Sequence, residues 1–149
     1  MKKNDGFYTM TGYRLNETEP LTAAMEDYLE MICRMLKTSD VVRVSALAQQ
    51  LHVKPSSASK MVANLREAGY VESKKYGYVS ATPKGRRVGG KLLHRHDVLH
   101  RFFRLLNHSE NELEQVEKIE HFINPDTIQN IEALCAWMET RPLEDTDAE

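Results

Sequence analysis

From residue 21 onward the spacing of apolar positions predicts a succession of short elements. In PLTAAMEDYLEMICRMLK, Met25, Tyr28, Leu29, Ile32, Met35 and Leu36 recur every three or four residues. That is one face of an amphipathic helix, with Thr22 as its N-cap. VRVSALAQQLHV has a strand-like start and then predicts a helix from about Ser45, whose hydroxyl can cap it, to Leu51. PSSASKMVANLREAGYV opens on Pro55, tolerated in a first turn, and carries a stripe of Ala58, Met61, Val62 and Leu65 up to a stop at Gly69. The period then drops to two in YVESKKYGYVSATP, which predicts a small β-hairpin around Tyr76-Gly77.

Two short helices joined by three or four residues, then a basic hairpin, make a winged helix-turn-helix. From Pro83 a long helix is predicted to Leu106, weakened by Gly85, Gly89 and Gly90. Two more follow at about 109–123 and 126–140. The fold class is therefore mainly α. A winged helix-turn-helix with a small hairpin wing (21–82) precedes an all-α unit (83–141), between a non-periodic arm (1–20) and an acidic, frayed tail (142–149).

Composition changes this picture little. With 149 residues, 41% hydrophobic and 28% charged, the chain is neither disordered nor fibrous. No apolar run approaches the ~20 residues of a membrane helix. The first residues lack the apolar region of a secretory signal, so a cytoplasmic location without membrane association is expected. Cys33 and Cys135 stand far apart among apolar neighbours and read as reduced core residues.

Charge changes it more. Residues 41–90 hold nine Lys/Arg against two acids, a net of +7, and residues 91–149 hold six against thirteen, a net of -7. A local basic surface on a near-neutral protein points to a polyanion partner. The second helix of a helix-turn-helix enters the major groove by its N-terminal residues, here Pro55, Ser56, Ser57, Ser59 and Lys60. Lys54, Lys60 and Arg66 can meet phosphates, and Lys74 and Lys75 would do so at the wing tip. Winged helices also serve as protein-interaction modules, and the serines could simply cap their helix.

The acidic half raises a second chemistry. Asp27 and Glu30 lie at i and i+3 on the first helix, His94, His96 and His100 on the long one, and Glu117, Glu120 and His121 on one face of QVEKIEHFIN. Each has an ordinary explanation as a solvated face, a surface histidine or a first-turn acid. Were they to converge, four carboxylates and two imidazoles without a thiolate would suit Mn²⁺ or Fe²⁺ better than a tetrahedral zinc. Four carboxylates also balance two divalent ions, and burying that many without a cation is unfavourable.

Taken in order, MEDYLEMI, then HVKPSSASKMVANLREAGYVESKKYGYVSATPKGRRVGGKLLHRHDVLHRFF, then VEKIEHFI resemble the diphtheria-toxin-repressor family of metal-dependent transcriptional repressors, and within it the manganese transport regulators. The resemblance covers roughly residues 21–140. It implies Asp27 and Glu30 as first-helix ligands, His96 as the ligand of the long helix, and Glu117, Glu120 and His121 as a cluster whose glutamates bridge a pair of ions. In the iron-responsive branch a Cys or Met stands where Glu120 and Asp27 stand here. His94 and His100 match no ligand and are expected at the surface. Phe122 departs from the second histidine the manganese branch can show, the arm is longer than usual, and the SH3-like third domain of iron-type members is not expected, as in the manganese branch.

The resemblance implies a homodimeric, Mn²⁺-responsive repressor of manganese uptake genes that binds double-stranded operator DNA, with two Mn²⁺ per subunit and Fe²⁺, Co²⁺, Cd²⁺ or Zn²⁺ as possible substitutes. The alternatives are a repressor of the same family answering to iron or another divalent metal, or a winged-helix regulator sensing a small organic ligand. A two-metal hydrolase is a further rival, but every candidate side chain is used as a ligand and none is left as general base. The chain is not expected to be an enzyme.

Overall fold

The structure is a computed structural model describing residues 21–141; the arm and the tail lie outside the described residues. Helix α1 (Ala23–Met35) starts where predicted, Thr22 Oγ1 accepting from the Met25 N–H at 3.1 Å. Strand β1 (Val42–Arg43) leads into α2 (Val44–Leu51), and α3 (Pro55–Glu67) follows a turn in which His52 is left-handed at φ 54°. Ser45 does not cap α2: the N-cap is Arg43, without a side-chain hydrogen bond. Nor do the serines of α3 occupy its cap, which is Lys54 followed by Pro55.

Gly69, at φ 85°, ends α3 and turns the chain into β2 (Val71–Ser73), which pairs with β3 (Tyr78–Ala81). The tip Lys75–Gly77 is a 3₁₀ turn in which Tyr76 and Gly77 are both left-handed, φ 63° and 74°. The sheet has one strand more than the hairpin predicted. Val42 pairs with Val79 and Arg43 with Tyr78, for a strand order β1-β3-β2. The strand-like start read at this point of the sequence is thus the third strand, held by its pairing with β3.

Helix α4 (Pro83–Asn107) is the backbone of the molecule. Thr82 caps it, accepting from the Gly85 N–H at 3.0 Å and donating to the Gly69 carbonyl at 2.6 Å. Its glycines allow close approach: a Cβ at Gly85 would collide with the Tyr70 carbonyl, and one at Gly89 with Cys33 of α1. Helix α5 (Leu113–Ile119) starts later than expected and closes in a 3₁₀ turn, Glu120–Phe122. Helix α6 (Pro125–Thr140) packs back along α4.

Two apolar cores result. The larger joins Leu29 and Ile32 of α1, Leu47, Leu65 and Val79 to Leu92 of α4. The smaller joins Val98 and Leu99 of α4 to Val116 and Ile128. His96 falls between them on the one helix common to both. Among the described residues no helix is long and apolar enough to cross a membrane. Cys33 is half-buried and Cys135 buried, both free thiols.

Candidate metal centre and nucleic-acid interface

Helical spacing puts Asp27 and Glu30 on the α1 face toward α4, and the short α5 delivers its C-terminal turn to the same place. Five of the six predicted ligands meet there in two groups. Ligand atoms of Asp27, Glu120 and His121 lie within 4.8 Å of one another, and so do those of Glu30, His96 and Glu120. Glu120, fully buried, belongs to both. His96 turns Nδ1 toward three carboxylates: Glu120 Oε2 at 2.9 Å, Glu30 Oε1 at 3.5 Å and Glu117 Oε1 at 3.6 Å. Glu117 sits half-exposed beside this group, on a cleft of about 340 Å³ that Asp27, Glu30 and His96 also line. His121 sets Nε2 against Asp27 Oδ1 at 2.8 Å, and Glu120 Oε1 lies 3.9 Å from that nitrogen.

The electrostatics follow from crowding acids out of water. Burial first, and the neighbouring Glu120 carboxylate second, push Glu30 up to about 7. The same two causes raise Glu117. The hydrogen bond to Glu120 raises His96 despite its burial. Hydrogen bonds to Asp27 and then Glu26 raise His121 to about 10.

Do these residues fit a metal ion? Glu120 Oε1 is buried and has no hydrogen-bond partner among the described residues, a position that is unfavourable unless a cation takes it. Four convergent carboxylates and two imidazoles are a hard, oxygen-rich donor set. They fit a divalent cation.

The residues expected to meet DNA lie on α3 and the wing. Lys54, Pro55, Ser56, Ser57, Ser59 and Lys60 are all exposed or nearly so at the start of α3, while Ala58 between them is buried. Arg66 is exposed but donates to Ser73 Oγ at 2.7 Å, tying α3 to the wing. Lys74 pairs with Glu72 at 3.2 Å, and Lys75 stands exposed at the tip. The structure thus collects these nine residues on adjoining elements, two of them already holding protein partners.

Family models describe the two halves: "Iron dependent repressor, N-terminal DNA binding domain" matches residues 20–79, and "Iron dependent repressor, metal binding and dimerisation domain" matches residues 82–148. The chain belongs to the iron-dependent repressor family. It is similar to the HTH-type transcriptional regulator MntR of Lysinibacillus sphaericus, 38% identical over 81% of this chain and 88% of that protein. It is also similar to MntR of Bacillus subtilis, 36% identical over 79% of this chain and 84% of that one. Among solved structures, "Manganese-dependent transcriptional repressor complex with manganese" superposes with a TM-score of 0.70 and 27% identity. That match covers 76% of this chain and 53% of the other, so the chain spans about half the length of that solved relative.

For this member of the iron-dependent repressor family, three charged residues at the centre are not apparent from the sequence pattern. Glu26 lies 3.0 Å from His121 Nδ1, and Arg95 donates to both Glu26 oxygens at 3.4 and 3.5 Å. Arg34 donates to Glu30 Oε1 at 3.1 Å. Signals existed: Glu26 is one turn before Glu30, Arg34 one turn after it, and Arg95 adjoins His96. His94 is exposed, as expected, and pairs with Glu132. His100 is not a plain surface residue, because its Nε2 accepts the Glu112 N–H at 3.2 Å just ahead of α5. No helical period announces a cap supplied from another helix.

These shifts set a pH dependence for the metal-free protein. The fold holds the Glu30 proton more tightly than the unfolded chain does, so stability falls as pH rises from about 4.5 to about 7. His121 stabilises the fold while protonated, fully so below its ordinary 6.5, and that contribution is lost as pH rises through about 10. Both act in one direction. Melting temperatures of chelated protein are expected to decline steadily across this interval; calorimetry showing a flat or rising profile would contradict the assignment.

Proposed function

We propose that this chain is a homodimeric, Mn²⁺-responsive repressor that binds operator DNA in the cytoplasm and controls manganese uptake genes. The carrying observation is Glu120, one buried carboxylate shared by two donor groups that together draw in α1, α4 and the turn after α5. Asp27, Glu30, His96, Glu117, Glu120 and His121 are the proposed ligands. Two groups sharing one carboxylate support two ions per subunit. The donor set favours Mn²⁺ or Fe²⁺ by hardness, whereas Co²⁺, Cd²⁺ and Zn²⁺ would substitute by raw affinity.

A bound divalent cation supplies positive charge that lets the four convergent carboxylates coexist. The rest is geometry. Asp27 and Glu30 ride on α1, which packs into the winged-helix core through Leu29 and Ile32. His96 sits beyond that core on α4, and Glu120 and His121 lie further on. Holding all six together therefore fixes the winged helix against the helical half. In a homodimer this sets the distance between two α3 helices, which must match half-sites ~34 Å or a multiple apart. Only the arrangement with the ligands assembled favours binding, and that difference is what a metal signal can shift. Exposed Leu106 on α4 and Leu134 and Trp137 on α6 offer apolar area for the second subunit.

Selection from a random duplex library tests this without an operator sequence in hand. In Mn²⁺ it is expected to enrich a palindromic site, and chelator is expected to release it. Enrichment that survives chelation would favour the organic-ligand regulator instead. On the selected site, Lys60→Ala is expected to make the log–log salt dependence shallower by about one. A slope equal to wild type would remove Lys60 from the phosphate contacts.

A further inference from the structure

Arg34 stands at the metal centre without being a candidate ligand. It follows Glu30 by one turn of α1, and its Nη2 donates to Glu30 Oε1 at 3.1 Å. His96 Nδ1 lies 3.5 Å from that same oxygen, so a guanidinium and an imidazole converge on one carboxylate atom. The Glu30 side chain is 8% exposed and that of Arg34 42%, at the mouth of the cleft that Glu30, His96 and Glu117 line.

The charges at the centre single this arginine out. Glu26 is paired with Arg95. Asp27, Glu30, Glu117 and Glu120 remain, four carboxylates that two divalent ions would balance with nothing over. Arg34 is then a surplus positive charge hydrogen-bonded to a ligand of the Glu30–His96–Glu120 group. In the other group Asp27 faces His121, and Arg95 nearby is already matched by Glu26. A cation entering beside Arg34 meets strong repulsion in a partly dry site. The side chain is long and its head is already partly in water, so it can swing out without stranding a buried charge.

We propose that Arg34 is a built-in counter-ion of the metal-free centre, displaced when a divalent cation binds at the Glu30–His96–Glu120 group. That group then fills second and more weakly than the Asp27–Glu120–His121 group. The inference rests on the metal-centre reading above and adds an order of loading to it. If Arg34 instead served to orient Glu30 for the metal, its removal would weaken binding, so the sign decides.

The experiment is a calorimetric Mn²⁺ titration of chelator-stripped wild type, Arg34→Met and Arg34→Lys. Methionine keeps the apolar stem and the helix propensity. Wild type is expected to show two steps, and Arg34→Met to tighten the weaker one by about tenfold or more while leaving the stronger unchanged. Arg34→Lys, which keeps the charge, should follow wild type. A second step unchanged or weakened in Arg34→Met overturns the proposal. Melting without metal gives an independent reading: losing the counter-ion should lower the melting temperature of Arg34→Met below that of wild type and Arg34→Lys, and equal values overturn the counter-ion role. Absence of saturable binding in wild type removes the metal-centre reading itself, an outcome distinct from two steps with the wrong response to the variant.

Discussion

Glu120→Gln is expected to abolish the metal response while leaving the metal-free protein as stable as wild type or more so. The two halves of this result have one cause. Glu120 is fully buried, its Oε1 has no hydrogen-bond partner among the described residues, and Glu30 and Glu117 crowd its charge. Without a cation that carboxylate is unfavourable, so an isosteric neutral amide relieves repulsion at no cost in volume. With a cation the same carboxylate serves both donor groups, so its loss affects every ion the centre could hold. Changes behind a metal ligand already lower affinity by about 10–100-fold, and loss of a shared ligand should exceed that. Mn²⁺ at about 100 times its dissociation constant should stabilise wild type by about 2.7 kcal/mol, and Glu120→Gln by almost nothing. Scanning calorimetry with and without Mn²⁺ reads both. A variant still stabilised like wild type, or one that melts well below it without metal, would show that Glu120 is a structural acid.

Gly85→Ala is expected to destabilise the protein by about 3 kcal/mol or more, at the upper end of overpacking effects, whereas Gly90→Ala should stabilise it by about 0.5–1 kcal/mol. Both sit in α4, where alanine is the better helix former, so propensity alone predicts two gains. The surroundings differ. A Cβ at Gly85 collides with the Tyr70 carbonyl, which accepts from the Thr82 N–H at 3.1 Å, so neither chain can yield without loosening the junction of wing and long helix. A Cβ at Gly90 meets nothing within 4 Å. At roughly 2–4 °C per kcal/mol for a chain of this size, Gly85→Ala should melt about 6–12 °C lower. Equal melting of the two variants would mean that the α4–Tyr70 contact carries no weight. Gly85→Ala should also weaken Mn²⁺ binding, because α4 holds His96 at a fixed distance from α1.

These variants mark where a sequence pattern is informative. A helical stripe is local, so α1 with its Thr22 cap, α3 with Pro55 and Gly69, and α4 from Pro83 are readable from one segment each. The candidate acids and histidines are readable too. That Asp27, Glu30, His96, Glu117, Glu120 and His121 form the set, and His94 and His100 do not, is what the family resemblance implies. Glu120 and His121 fall in a 3₁₀ turn and not on a helix face. Ser45 shows the limit even locally. A hydroxyl near a helix start is a sufficient cap only if the helix begins after it, and pairing of Val42 and Arg43 with β3 begins the helix one residue before it.

By itself, then, the sequence determined the helices, the wing and the basic stretch, since period, caps and charge are properties of short segments, and its family resemblance implied the six candidate ligands. The tertiary structure decided the rest. It placed Glu120 in both donor groups, set Glu26 and Arg95 behind His121, laid Arg34 on Glu30, and gave His100 to the start of α5. Each of these depends on how close two helices cross and on which turn faces which. That distance is set by packing, at Gly85 against Tyr70 and Gly89 against Cys33 and Leu29, and a period of 3.6 residues carries no information about what lies across the gap.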